Sequence, residues 1–296
     1  MAEEFERLHA GKHSIAQELF IKTADENYVT ARFCFANELN VDFFWNAVHG
    51  LEKYLKAALL MNGRSGKDFP DGGKRRLFRH NIVELLDAVR PLAPELIPST
   101  LVRPDVLPEP YWREEPIEQF VSRLYDMGNE HNRYQLTGYV CRSEDLLKFD
   151  LLVFAIRRLC QPLEVHFLGK PRHGVPDESK RQRMERDHPS SSDLQSTFEQ
   201  IAGGGRGPLL REVALNWNIP FAPADYPHPP LRYGASSANP VLVRRILEPL
   251  DSGDAQQAID SDQLWQWAQD NIFIPKEYVK AYNDDRLRRK ATVRKK

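Results

Sequence analysis

The chain has 296 residues, and its 41 Lys and Arg against 42 Asp and Glu give a formal net charge of −1. This balance excludes a globally basic nucleic-acid-binding protein, although it is compatible with a local basic patch. No apolar run approaches the ~18 residues of a membrane span, so the sequence predicts no membrane segment. The first residues lack the layout of a signal peptide and the three cysteines are widely spaced. We therefore expect a cytoplasmic protein with free thiols.

Composition along the chain predicts four segments. The stretch at 169–193 contains almost no apolar residue, and such a composition is typical of a linker because it cannot bury enough surface to offset the entropy of ordering. We predict a helical domain at 1–168, a polar linker at 169–193, a helical C-terminal region at 194–285 and a basic tail at 286–296.

Apolar residues in the first domain recur with the period of an α-helix. The clearest stripe lies at 43–61, with apolar residues at steps of three and four, and Asp42 is its predicted N-cap. Ser143 and the two acids after it predict the start of the last helix. No stretch alternates with a period of two. The predicted fold class is therefore all-α, an antiparallel bundle with helices at 24–39, 43–61, 81–89, 116–127 and 143–160.

The C-terminal region has a weaker pattern. The segment at 218–234 is rich in proline and aromatic residues, which is compatible with an ordered wrapping loop or with a recognition surface. The glycine-rich stretch at 203–207 lacks the Lys-Ser/Thr ending of a phosphate-binding P-loop. Helices are predicted at 194–202, 207–217, 240–250 and 262–271.

Three motifs in the first half carry a resemblance to a known family. They are LEKYLKAAL at 51–59, RHNIVELL at 79–86 and YDMGNEHNRY at 125–134. In this order they resemble the helix signatures of HEPN (higher eukaryotes and prokaryotes nucleotide-binding) domains. The resemblance covers about residues 24–160. It implies an antiparallel HEPN-like bundle, a homodimer, and RNA or a nucleotide as the ligand.

The resemblance does not by itself imply catalysis, because this chain lacks part of the family's nuclease motif. Many HEPN domains are metal-independent ribonucleases, in which four to six residues separate an arginine from a histidine near the start of the last helix. Arg133 matches the arginine, but Gly138, Tyr139 and Val140 stand where the histidine is expected. A tyrosine hydroxyl, with a pKa of about 10 in model peptides, is a poor base near neutral pH. The same Arg…His spacing recurs at Arg75 and His80, where it is compatible with a solvated basic loop.

These observations favour an RNA- or nucleotide-binding protein without efficient nuclease activity. The resemblance implies a defence or toxin–antitoxin context and a nucleotidyltransferase or another protein as partner. Two alternatives stay open: an active metal-independent endoribonuclease, and a dimeric protein-interaction module.

The candidate site residues follow from the same motifs. His131 and Arg133 are candidate catalytic residues, although His131 is also compatible with a helix-end residue and Arg133 with a structural ion pair. No metal ion or other cofactor is predicted. The basic tail is compatible with phosphate binding or with a solvated terminus. Candidate binding residues are Asn129, Arg133, Tyr139, Lys74, Arg75, Arg76, Arg79 and His80.

Overall fold

The computed structural model describes most of the first 164 residues and much of the C-terminal region. The described residues are 12–64, 70–71, 74–75, 80–103, 109–132, 134–135, 138–164, 179–186, 201, 236–237, 242–271 and 274–293. The chain divides into two compact units. The first consists of Met1–Gly128 and Arg142–Gly234, and the second of Asn129–Cys141 and Ala235–Lys296.

The fold is all-α, as the sequence predicts. In the first unit a π-helical turn at Gln17–Ile21 runs directly into the first α-helix. Two-residue strands β1 (Pro70–Asp71) and β2 (Lys74–Arg75) form an antiparallel pair. The helices of this unit are α1 (Lys22–Ala36), α2 (Asn40–Met61), α3 (Ile82–Val89), α4 (Ile117–Gly128), α5 (Asp145–Arg157) and α6 (Lys180–Arg186). Short 3₁₀ turns lie at Arg90–Leu92, Pro94–Leu96 and Glu109–Tyr111.

The second unit contains the other described elements. Strands β3 (Tyr139–Val140) and β4 (Ser236–Ser237) pair in antiparallel orientation. A π-helical turn at Val243–Leu247 continues into a 3₁₀ turn at Glu248–Ser252, and two long helices follow, α7 (Ala255–Asn271) and α8 (Lys276–Val293). Their core includes Trp265 and Tyr282, whose rings stack with centroids 5.3 Å apart.

Helices α1 and α2 pack against each other in antiparallel orientation. The Lys53 ammonium on α2 donates to the Asn27 side chain on α1 at 2.6 Å, and Asn27 in turn donates to Asn46 at 2.9 Å. Tyr54, late in α2, donates to Asp25, early in α1, and Phe35, late in α1, packs on Phe43, early in α2, so the two helices are antiparallel. Leu55 of α2 is in the core and 1% exposed.

Two ion pairs join α1 to α5, and the acid lies on α1 in one pair and on α5 in the other. Asp25 on α1 accepts from Arg157 on α5 at 3.0 Å, and two turns later Arg32 on α1 donates to Asp150 on α5. Because the earlier residue on α1 pairs with the later residue on α5, the two helices are antiparallel. Each carboxylate also accepts from a buried tyrosine at 2.6 Å, Tyr54 for Asp25 and Tyr28 for Asp150. Burial raises the pKa of both phenols well above the ordinary value.

Two of the predicted helix starts are wrong. Asp42 is not an N-cap, because α2 begins at Asn40 and its cap position, Leu39, has no side chain that accepts a hydrogen bond. At the start of α5 the cap position is Glu144 rather than Ser143, and its side chain makes no capping bond. Asp145 accepts instead from the backbone N–H of Arg142 at 2.8 Å.

The structure confirms only part of the predictions for the C-terminal region. The predicted helix at 262–271 is confirmed and starts earlier, at Ala255, whereas the described part of the predicted helix at 240–250 forms a π-helical turn and then a 3₁₀ turn. Helix α6 lies inside the predicted linker, and its Arg181 donates to Glu95 at 3.0 Å. The described part of the chain does not include most of 194–202, nor residues 203–207, 207–217 and 218–234.

Candidate functional site

The candidate motif residues lie in a segment that joins α4 to α5 in sequence and belongs to the second compact unit. We call this segment, Asn129–Cys141, the motif segment. Strand β3 lies near the end of this segment and pairs with β4, with Tyr139 opposite Ser237 and Val140 opposite Ser236. The motif residues therefore share a folded unit with the C-terminal helices, a grouping that the sequence does not predict.

Two asparagines give the motif segment its shape. The Asn129 side-chain oxygen accepts from the backbone N–H groups of His131 and Asn132, at 2.9 and 3.2 Å. The buried Asn132 side chain donates to the Gly138 carbonyl at 2.8 Å and closes the loop. Gln135 and Gly138 have positive φ angles of 56° and 75°. For a side-chain-bearing residue such as Gln135 this conformation costs about 1 kcal/mol, so the surrounding contacts must hold it.

His131 occupies a half-buried position in this loop. Its Nδ1 atom is buried without a hydrogen-bond partner, and its Nε2 atom is 3.9 Å from the Glu130 carboxylate, beyond hydrogen-bonding distance. A catalytic histidine is normally oriented by a hydrogen bond from its second ring nitrogen, which also fixes its tautomer. Neither ring nitrogen of His131 has such a bond.

Tyr139, which stands where the HEPN resemblance predicts a histidine, lies on β3 rather than at the start of a helix. Helix α5 begins six residues later, at Asp145. No imidazole stands at this place in the described chain. Arg133, the other half of the motif, lies outside the described residues.

The predicted basic loop belongs to the first unit. Lys74 and Arg75 form strand β2, and the exposed His80 follows the loop with its Nδ1 atom 3.0 Å from the Glu52 carboxylate on α2. Glu52 also accepts from Lys56 at 2.6 Å. Two more of the predicted basic residues, Arg76 and Arg79, are outside the described part of the chain. The candidate residues are thus divided between the two units, with the basic loop in one and the motif segment in the other.

The described part of the predicted basic tail, 286–293, belongs to helix α8, and its Arg and Lys side chains are paired. Arg286 and Lys290 both donate to Asp262 on α7. Arg289 pairs with Asp285 and with Asp251. Burial raises the pKa of Asp262, but the hydrogen bonds from Lys290 and Arg286 outweigh burial and lower it. Neutralisation within the unit leaves this helix less able to bind phosphates than its composition indicates.

A cluster of ion pairs in the first unit has no counterpart in the sequence analysis. Glu115 accepts from Arg123 at 2.8 Å and from the fully buried Lys148 at 2.7 Å, and Arg123 also donates to Asp145 at 2.6 Å. The Lys148 ammonium lies 5.0 Å from the centre of the Trp112 ring. Burial raises the pKa of Glu115, but the bonds from Arg123 and Lys148 outweigh burial and lower it.

This cluster predicts an acid-dependent loss of stability. Because the pKa of Glu115 is lower in the folded chain than its unfolded value of about 4.3, Glu115 stabilises the fold above that pH, and this contribution is lost as pH falls through the folded value. We expect the free energy of urea unfolding to fall as the pH drops below about 4.3, and to fall less in Glu115→Gln. Glu114→Gln, at the exposed neighbour, is the control. An equal acid-dependent loss in Glu115→Gln would contradict the prediction.

A cavity of about 520 Å³ lies in the first unit, away from every candidate residue. Arg181 in its wall interacts with Glu95, Glu164 and Glu185. The three carboxylates around this cavity outnumber its two guanidinium groups, so it is a poor phosphate site. It is lined by Asn62, Gly63, Arg64, Pro91, Leu92, Leu163, Glu164 and Arg181.

Two further properties hold for the described residues. No cluster of three or more His, Cys, Asp or Glu side chains there could hold a metal ion. None of the described helices has both the length and the apolar character of a membrane span.

Comparison with protein-family models, curated proteins and solved structures found no match to this chain.

Proposed function

We propose that the chain binds RNA or a nucleotide through phosphate contacts and cleaves it slowly or not at all. The ligand class rests on the resemblance of residues 24–160 to HEPN domains and on the basic loop, where four Lys and Arg and one His fall within seven residues without an acid. Lysine and arginine bind phosphate through charge and hydrogen bonds and need no further catalytic group.

The positions of His131 and Tyr139 support the second part of the proposal, which is that cleavage is slow or absent. General acid–base catalysis, worth about 10²–10⁴ in rate, needs a base that is oriented towards the proton it accepts. His131 has no bond that orients its ring, and Tyr139 lies on a strand in place of the expected histidine. This arrangement supports binding without efficient cleavage. The homodimer, the nucleotidyltransferase partner and the defence or toxin–antitoxin role remain predictions from the resemblance.

A binding and cleavage assay tests the proposal. We expect the purified chain to bind single-stranded RNA at low salt, with affinity that falls steeply between about 50 and 200 mM salt because phosphate contacts release counterions. Replacing Lys74 and Arg75 by Ala should weaken binding. The slope of log affinity against log salt should become shallower by about 1 for each cation that no longer neutralises a phosphate. No cleavage is expected over hours without metal.

Histidine variants separate the alternatives. His131→Gln should leave the slow or absent cleavage unchanged, and His49→Gln is the matched control at a half-buried histidine outside the candidate residues. Rapid cleavage that disappears in His131→Gln alone would instead establish the ribonuclease. Failure to bind RNA or nucleotides at low salt would leave the protein-interaction module.

A further inference from the structure

We infer that the C-terminal unit positions the motif segment for ligand binding, and that strand β4 is the element through which it does so. This inference rests on the proposed function and assigns a role to the C-terminal half of the chain. It starts from one juxtaposition: β4, at Ser236–Ser237, pairs with β3, the strand that carries Tyr139.

One residue of the motif segment has a backbone conformation that it does not favour. Gln135 adopts a left-handed conformation, which residues with a side chain disfavour, whereas Gly138 adopts one without steric cost. The described turns are held by the Asn129 and Asn132 side chains and by backbone hydrogen bonds from Asn132 to Asn129 and from Gln135 to Asn132. The pairing of β3 with β4 adds to these a contact from outside the segment.

Strand β4 supplies such contacts to the end of the segment. A pair of two-residue strands is marginal by itself in water and persists when neighbouring structure packs around it. Asn132, Gly138 and Cys141 are buried. These three residues anchor the segment, whereas Tyr134 and Val140 are exposed, at 56% and 45%.

The helices of the same unit pack against each other. Trp265 on α7 stacks on Tyr282 of α8, and its indole N–H donates to Asn283 at 2.8 Å. Ser261 on α7 donates to the Ile246 carbonyl at 2.6 Å and joins the helix to the turn before it. Strand β4 is the element that connects this unit to the motif segment. A loop that is held in its binding conformation loses less entropy when a ligand binds, which increases affinity.

Backbone and side-chain substitutions at β4 test the inference. Changing both Ser236 and Ser237 to Pro removes their backbone N–H donors and so breaks the pair with β3. Changing both to Ala removes the hydroxyls and keeps the pair. We expect the Pro variant to bind RNA about tenfold more weakly than the parent, with faster hydrogen exchange at the Tyr139 and Val140 amides. The Ala variant should match the parent in both.

A second variant acts from within the segment. Asn132→Ala removes the bond to the Gly138 carbonyl without touching β4, and we expect a several-fold loss of RNA affinity. It provides the same test if the Pro variant fails to fold, as judged by circular dichroism.

The outcomes separate this inference from the proposed function. If exchange at Tyr139 and Val140 accelerates in the Pro variant while RNA affinity stays at the parent value, the positioning role is wrong and RNA binding stands. If the parent binds no RNA, the proposed function fails and the positioning role fails with it. Unchanged exchange in the Pro variant overturns the inference by itself.

Discussion

Gly128→Ala is expected to destabilise the first unit by about 3 kcal/mol or more. Gly128 ends α4 where it crosses α2, and a Cβ atom there would lie 2.1 Å from the Phe44 carbonyl oxygen and 2.7 Å from a Val48 methyl. The first of these is backbone, so the two helices would have to move apart. The gain of about 1 kcal/mol that Ala normally brings to a helix cannot offset this.

Gly50→Ala is the matched control for this change. Gly50 lies in the interior of α2, and the nearest atom to an added Cβ, the Asn27 Cβ, is at 3.4 Å, an ordinary contact. We expect this variant to be as stable as the parent or more stable by up to about 1 kcal/mol. Urea unfolding followed by circular dichroism measures both. Equal stability of the Gly128→Ala variant and the parent would show that the two helices are not in close contact.

The second large effect is expected at the buried pair between α1 and α5. Asp150→Leu leaves the Arg32 guanidinium, 2% exposed, without its carboxylate, and removing one partner of a buried pair typically costs about 3–5 kcal/mol. Tyr28 loses its acceptor in the same change. The triple variant Tyr28→Phe, Arg32→Met and Asp150→Leu removes all three polar groups. It should recover most of the loss, because hydrophobic replacement of a buried pair is often neutral.

Arg288→Met is the control for the buried pair. Arg288 pairs with Asp285 on the surface of α8 with its side chain 75% exposed, and exposed pairs contribute about 0–1 kcal/mol. Thermal unfolding of the four proteins measures the series. A triple variant no more stable than Asp150→Leu would mean that the polar groups at this position, rather than the cost of an unpaired charge, determine stability.

The sequence predicts the first-unit helices well because their apolar residues follow one period. The helices at 43–61, 81–89 and 116–127 begin within three residues of the predictions, and Asn81 caps α3 by accepting from Val83 and Glu84. Glu52, which the same periodicity places on the polar side of α2, is 8% exposed because the helix contacts the chain around His80 as well as the core.

Helices α5 and α8 show what periodicity leaves out. The predicted helix at 143–160 is confirmed as α5, but this helix is buried on nearly all sides, and its charged residues Lys148 and Asp150 are inside because carboxylates and cations from other parts of the unit pair with them. A pattern that equates charge with exposure cannot predict the burial of these two residues. Helix α8 has few apolar residues, and ion pairs with α7 and within the helix stabilise it. Composition alone therefore favours a solvated tail.

The sequence predicts which residues belong to the candidate site, but it does not predict how they are arranged in space. The motif at 125–134 identifies His131 and Asn129, but the pairing of Tyr139 with Ser237 joins positions 98 residues apart. No local pattern encodes a contact at that separation. The sequence also gives no sign that the His131 Nδ1 atom is buried.

The pairing of β3 with β4 also sets an order of events during synthesis. At a translation rate of ~5–20 residues per second, the ribosome needs about 5–20 s to make the residues between Tyr139 and Ser237. Helices α1 to α5 are complete before β4 exists, so the motif segment emerges without its partner strand and waits for it. During that interval β3 has no partner strand. Under the proposed function, ligand binding at the completed motif segment begins only after β4 has been made.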